Sequence, residues 1–233
     1  MSNTFKYPNQ TTRESKLLAV CSDYTFDRIL DVGCGDGELT MRIGEACNVA
    51  DVFGIDISRT DVKSAQNRGV NAVLLDVDRE GLPFENETFD GVHSGEVFDY
   101  IKNDSSYFRE IHRVLKPGGI FIISIPNLAS LHNRLALLVG EMPFPLRPQF
   151  DCCYSEHGLG SETTAERVNV LTHGLLQETV RRHGFAVRRV VGCGVDTNLS
   201  FPKQLFDNLC ARYPPVSYRN ILVCEKIDDE LTY

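Results

Sequence analysis

No stretch of this 233-residue chain approaches the run of about 20 apolar residues that a helix needs to cross a bilayer. The opening MSNTFKYPNQTTRESK lacks the apolar core of a secretion signal, so a cytoplasmic protein with no membrane partner is expected. Positive charge is also short, with 24 Lys and Arg against 32 Asp and Glu and a net charge of −8. Nucleic-acid binding rests on cations meeting phosphates, so no nucleic-acid partner is expected. The two basic groups, Arg181-Arg182-His183 and Arg188-Arg189, read as a solvated helix end and strand edge. None of the eight cysteines forms a C-x-x-C pair, which speaks against a zinc framework and against a disulfide-stapled module. Cys152 and Cys153 stand near His157 but lack zinc-type spacing, and no metal is expected. There is no internal repeat and no low-complexity tract.

What the chain has is an ordinary soluble composition, 42% hydrophobic and 24% charged, at a length that suits one α/β domain. Its organising stretch is RILDVGCGDGEL, from Arg28 to Leu39. An apolar strand breaks into Gly33, Gly35 and Gly37 and resumes as a helix at Glu38. Glycines at such a turn let main chain come close to a ligand. The dinucleotide fingerprint G-x-G-x-x-G fails, because position 38 is Glu. The Walker loop fails too, because no Gly-Lys-Ser/Thr follows. The pattern is acid-x-G-x-G-x-G, with Asp31 as the acid.

Downstream, short apolar strands alternate with helical stretches. Val52–Ile57 and Ala72–Leu75 read as buried parallel strands, each with an acid at its end, Asp56 and Asp76. A fourth strand is expected around Phe89–His93, an amphipathic helix from Asp104 to Leu115, a stop at Lys116-Pro117-Gly118-Gly119, and a fifth strand at Ile120–Ile125. This rhythm implies right-handed βαβ crossovers. Residues 126–170 break it with a leucine face (Leu128, Leu131, Leu135, Leu138), a proline run and a polar segment. Thr172 then caps a helix to His183, a short helix is expected near Gln204–Ala211, and strands at Phe185–Val191 and Ile221–Lys226 complete the domain.

The motif series DVGCGDG, GIDIS, LLDVD, LPFENETFDGVHS, and REIHRVLKPGG before IFIISIPN resembles class I S-adenosylmethionine-dependent methyltransferases from Arg28 to Asn127, and more weakly to Lys226. DVDREGL and SIPN look most like small-molecule and MetW-like members. The resemblance implies an α/β, Rossmann-like fold: a seven-stranded, mostly parallel sheet of order 3-2-1-4-5-7-6, the last strand antiparallel, with helices on both faces. It further implies a cofactor-covering segment at 1–27, a methyltransferase domain at 28–226 with a substrate lid at 126–170, and a tail at 227–233. The cofactor it implies is S-adenosyl-L-methionine, and the function expected is methyl transfer to a small-molecule acceptor by a monomer or homodimer.

The cofactor's chemistry explains the spacing. A ribose diol offers two hydroxyl donors, and Asp56 stands at the end of the second strand at the distance from the glycine turn that a ribose-binding acid has. Ile57 follows it. By resemblance, Asp76 takes the adenine amine and the Val77 N–H a ring nitrogen, with Asp78 as rival. Gly33, Cys34, Gly35 and Gly37 let the backbone approach, Asp31 helps hold the methionine amine, and Ser94 and Gly95 border the sulfonium. Tyr7 and Arg13 are conceivable contacts from the covering segment.

Methyl transfer is an in-line displacement, so alignment and exclusion of water matter most. A base is needed only for an acceptor that carries a proton. His132 and His157, in the lid, are the candidates, whereas His93 reads as a packed strand residue. Where the family often has Glu-x-x-Glu-His, this chain has Glu96-Val97-Phe98-Asp99-Tyr100, and the two acids read as solvated or capping groups. Two other readings stay open: a non-catalytic cofactor-binding regulatory subunit, and a nicotinamide-dependent oxidoreductase.

Overall fold

The structure is a computed structural model that describes residues 12–49, 51–146, 167–195 and 201–227. Tyr7, Cys152, Cys153 and His157 lie outside the described residues. The strands are β1 (Arg28–Val32), β2 (Asp51–Asp56), β3 (Asn71–Leu74), β4 (Phe89–Gly95), β5 (Leu115–Pro126), β6 (Phe185–Cys193) and β7 (Arg219–Lys226). The helices are α1 (Arg13–Cys21), α2 (Glu38–Ala46), α3 (Arg59–Asn67), α4 (Asp104–Val114), α5 (Leu131–Leu138), α6 (His173–Arg182) and α7 (Phe201–Cys210). All seven strands form one sheet of order β3-β2-β1-β4-β5-β7-β6, as expected. β7 runs antiparallel to both β5 and β6, and the other pairs are parallel.

Local chemistry sets the helix starts. Thr12, Ser58, Asn103, Ser130 and Thr172 each accept, through the side chain, a main-chain N–H of the first turn of the helix they precede. The sheet's two faces then separate by strand alternation. Leu30, Val92, Phe121, Ile123 and Leu222 pack with α4 and α6. Ile29, Ile122, Ile221 and Val223 pack on the other face with α1 and α2. α1 is therefore docked in the core through Leu17, Val20 and Cys21, and Arg13 at its start lies over the carboxyl ends of the strands.

Three expectations are corrected. β5 begins at Leu115, so Lys116-Pro117-Gly118-Gly119 is an irregular start to the strand and not a break before it; the register with β4 jumps between Phe89 and Gly91, and Gly118 takes φ +70°. The leucine face is covered only in part: Leu128 and Leu131 are half-buried, Leu135 and Leu138 are exposed, and the fully buried residue of α5 is Asn133. Its Nδ2 donates to the Asn127 carbonyl at 3.0 Å and its Oδ1 accepts the Phe144 N–H at 3.1 Å, so a polar side chain seats this helix. Glu96 and Asp99 are not solvated, because arginines from distant segments fold over them.

Candidate functional site

β1 leads left to β2 while β4 leads right to β5, so the crevice where strand order reverses opens between their carboxyl ends. The glycine turn lies there. Gly33, Gly35 and Gly37 have φ of 79°, 53° and 84°. The N–H groups of Gly33 and Cys34 donate to the Ile55 carbonyl at 2.8 and 3.0 Å, which hangs the turn from the end of β2. The Asp56 carboxylate closes it, accepting from Gly35 N at 2.9 Å and from Ser58 N at 2.8 Å. Burial pushes the Asp56 carboxyl above its ordinary range, and these two N–H groups oppose the shift. A Cβ on Gly35 would meet none of the described residues within 4 Å, whereas one on Gly37 would stand 2.8 Å from the Ala65 main chain. Gly35 thus faces open space, and Gly37 packs the turn against α3.

Asp31 is buried, and both its oxygens are engaged. Thr40 Oγ1 donates to one at 2.6 Å, and His93 Nδ1 lies 2.6 Å from the other. Asp31 and His93 are direct neighbours across the β1–β4 ladder. Ser94 turns its hydroxyl into the core, where it accepts from Tyr107 at 2.6 Å, so it offers the crevice only main chain. Gly95, the next residue, lies beside His93 and Arg13.

Asp76 and Val77 follow β3 on the same side of the sheet, and Arg79 pairs with Asp76 at 3.4 Å. Asp78 accepts the N–H groups of Lys102 and Asn103 at 2.8 and 2.9 Å, which commits it to holding that loop. The Ile57 side chain is exposed beside Asp56.

Beyond β4, Glu96 takes φ +60°, a left-handed conformation that non-glycine residues rarely adopt. Arg219 approaches its Oε2 at 3.3 Å. Asp99 is 1% exposed and receives Arg167 Nε at 2.6 Å on Oδ2. Glu96 Oε1 and Asp99 Oδ1 are buried without hydrogen-bond partners among the described residues. Burial raises both carboxyls above their usual range against the opposing pull of Arg219 and Arg167. His132 stands apart on α5, its Nε2 3.6 Å from Asp207 Oδ1, its ring edge-on to Phe206 and Tyr218 at 5.4 Å. Burial lowers its affinity for a proton, and Asp207 opposes this.

The structure thus gathers Asp31, Gly33, Cys34, Gly35, Gly37, Asp56, Ser94 and Gly95 at one crevice. It also shows what the sequence reading missed. His93 joins Asp31 across 62 positions, and Arg167 joins Asp99 across 68; no local pattern carries either pairing.

Residues 30–123 match a methyltransferase-domain family. Among curated relatives, the demethylmenaquinone methyltransferase of Symbiobacterium thermophilum is 38% identical over 105 residues, 41% of this chain and 41% of that protein. The mitochondrial arginine-hydroxylase NDUFAF5 of Danio rerio is 33% identical over 119 residues, 51% of this chain and 37% of that one. The chain thus spans less than half the length of these relatives. Among solved structures, a methyltransferase in complex with the Trm112 methyltransferase activator of Haloferax volcanii superposes with a TM-score of 0.65 at 20% identity, covering 91% of this chain and 88% of that one; at that identity the likeness concerns the fold. Residues 30–123 thus carry a methyltransferase domain, set in a sheet with the strand order that the motif resemblance implies.

Proposed function

We propose that the protein transfers the methyl group of S-adenosylmethionine to a small-molecule acceptor. The observation that carries this reading is the glycine turn closed by Asp56 at the strand-order reversal, with open space over Gly35. The crevice fits the cofactor's three parts. Asp56 offers carboxylate oxygens to a ribose diol, and Asp76 and Val77 stand after β3 for the adenine. Asp78 holds the 102–103 loop and Asp76 accepts the Asp78 N–H, so Asp76 is preferred on its place directly after β3. The polar surroundings of Gly95 suit the charged tail. When bound, the cofactor supplies an electrophilic methyl on a sulfonium. This chain's part is to hold it in line and keep water out.

The acceptor side of this reading is the ground beyond β4: Glu96, Asp99, Arg167 and the residues of α5. His132, 3.6 Å from Asp207 and with its proton affinity lowered by burial, is the lid residue this reading assigns to take a proton from an acceptor hydroxyl. A second reading, a cofactor-binding subunit that holds a partner protein, is favoured by the exposed apolar face of Leu135, Leu137, Leu138 and Val139. Calorimetric titration tests the primary reading. S-adenosylhomocysteine should bind and a nicotinamide dinucleotide should not. Absence of S-adenosylhomocysteine binding by the folded protein rejects it. Retained binding with no methyl transfer to any acceptor shifts the balance to the second reading.

A further inference from the structure

A helix on the surface of a folded chain normally buries its apolar side and shows its polar side to water. α5 and α7 do the reverse. Each is seated by a buried polar residue. Asn133 holds α5, and on α7 the Asp207 carboxylate, fully buried, accepts the Val195 N–H at 3.2 Å on each oxygen. The leucines point the other way. Leu138, Val139 and Leu209 are 80%, 73% and 67% exposed, and Leu135, Leu137 and Leu205 are exposed too. The two helices are neighbours, since the His132 ring meets Phe206 edge-on and His132 Nε2 stands 3.6 Å from Asp207. Leu135 follows His132 by three positions and Leu209 follows Phe206 by three, so the two apolar stripes border one another. An exposed apolar face of this kind marks an interaction surface.

Charge selects the occupant. The chain as a whole carries a net charge of −8. Over residues 131–146 and 201–216, which hold α5, α7 and the turns after them, the exposed charges are Arg134, Lys203 and Arg212 against Glu141. The other acid there, Asp207, is buried. Each of these cations stands three or four positions from an exposed apolar residue: Arg134 from Leu138, Lys203 from Phe206, and Arg212 from Leu209. Basic side chains beside exposed leucines are the composition of a helix that lies in a lipid headgroup layer. A second copy of the chain fits less well, because a twofold contact would bring this cationic face against itself. Helices of 8 and 10 residues are too short to cross a bilayer, but a surface contact needs no span. The expectation of no membrane partner rests on the missing span alone.

We infer that the face formed by α5 and α7 docks on an anionic lipid surface. The leucines enter the headgroup layer, and Arg134, Lys203 and Arg212 meet the lipid phosphates. This docking is independent of the methyl-transfer reading.

Vesicle sedimentation of the full chain tests it, with vesicles of phosphatidylcholine alone and of phosphatidylcholine and phosphatidylglycerol in equal parts. The wild type should sediment with the mixed vesicles, less with phosphatidylcholine alone, and less again as salt is raised. The double variant Leu138→Glu, Leu209→Glu should lose at least about 10-fold in binding to the mixed vesicles, the effect of burying one leucine. Lys203→Glu should lose more than about 5-fold. Lys63→Glu, the same charge change at an exposed position of α3, should keep wild-type binding. No sedimentation of the wild type with the mixed vesicles at low salt overturns the inference and leaves the face to a partner protein. Equal losses for Lys203→Glu and Lys63→Glu overturn the choice of face. A wild type that doubles in mass with concentration, while the double variant stays monomeric in light scattering, gives the face to a second copy and also overturns the inference. If the double variant does not fold, the two lysine variants decide. Vesicle binding without S-adenosylhomocysteine binding keeps this inference and removes the cofactor reading, and the converse removes this inference alone.

Discussion

Gly35 and Gly37 lie two residues apart in one turn, and alanine at each should do different things. Both have positive φ, 53° and 84°. A non-glycine residue there costs about 1–2 kcal/mol in backbone strain alone. At Gly35 that is the whole cost to the fold, because an added Cβ meets none of the described residues within 4 Å. At Gly37 the Cβ would come 2.8 Å from Ala65 Cα, 2.9 Å from Ala65 Cβ and 3.1 Å from Val70 Cγ2, and main chain cannot swing aside. Overpacking of this kind adds about 1–3 kcal/mol, for a total of about 2–5 kcal/mol. In a chain of this size 1 kcal/mol moves Tm by about 2–4 °C. Gly35→Ala should therefore melt about 2–8 °C low and Gly37→Ala about 4–20 °C low. Ligand binding should rank the other way: Gly35→Ala, whose methyl enters the open crevice, should lose more affinity for S-adenosylhomocysteine than its small stability loss explains. Paired thermal melts and calorimetry read both quantities. Equal melting losses would refute the packing argument at Gly37. Wild-type affinity in a folded Gly35→Ala would mean that the turn faces no ligand.

Asp56→Ala should weaken S-adenosylhomocysteine binding by about 1.5–3 kcal/mol in a titration, with some loss of Tm because Gly35 N and Ser58 N lose their acceptor; unchanged affinity removes Asp56 from the ribose. Arg167→Met leaves the Asp99 carboxylate buried and uncompensated, and should cost about 3–5 kcal/mol at neutral pH in denaturant melts. Because burial already holds the Asp99 carboxyl above its unfolded value, its contribution to stability is full below the ordinary carboxylate range and is lost as pH rises through the native value. The Arg167→Met deficit should shrink on acidification, and a deficit constant from neutral pH down into that range contradicts the buried-charge account. Leu138→Glu should change stability by less than about 0.5 kcal/mol, since Leu138 is 80% exposed; a large loss in a melt would mean that another surface covers this helix.

The fold was legible because its signals are local. Apolar strands ending in acids and the glycine turn lie within windows of about ten residues, and the family resemblance supplied the strand order. The candidate crevice was legible for the same reason, since Asp31, Gly33, Gly35 and Asp56 sit at strand ends that the pattern marks. What stayed hidden depends on tertiary neighbours. His93 looks like one more strand residue until β1 and β4 pair and bring it to Asp31. Glu96 and Asp99 look like surface acids until Arg167 and Arg219, from later segments, fold over them. The leucines of α5 have helical spacing, but spacing does not say whether a partner surface exists, and here Asn133 seats the helix.

The strand-order reversal also divides the sheet by chain position. β1, β2 and β3 fall within residues 28–74, and β4, β5, β6 and β7 begin only at Phe89. The seam between β1 and β4 is therefore a border between an early and a late piece of the polypeptide, joined by the loop that runs from β3 to β4. A molecule lying across that seam, touching Gly35 and Asp56 on one bank and Gly95 on the other, acts as a cross-link between the two pieces. At 100 times its dissociation constant it would add about 2.7 kcal/mol to their association. A chain nicked within residues 76–88 should then stay assembled in the presence of the ligand and come apart more readily without it, making protease sensitivity a gauge of occupancy.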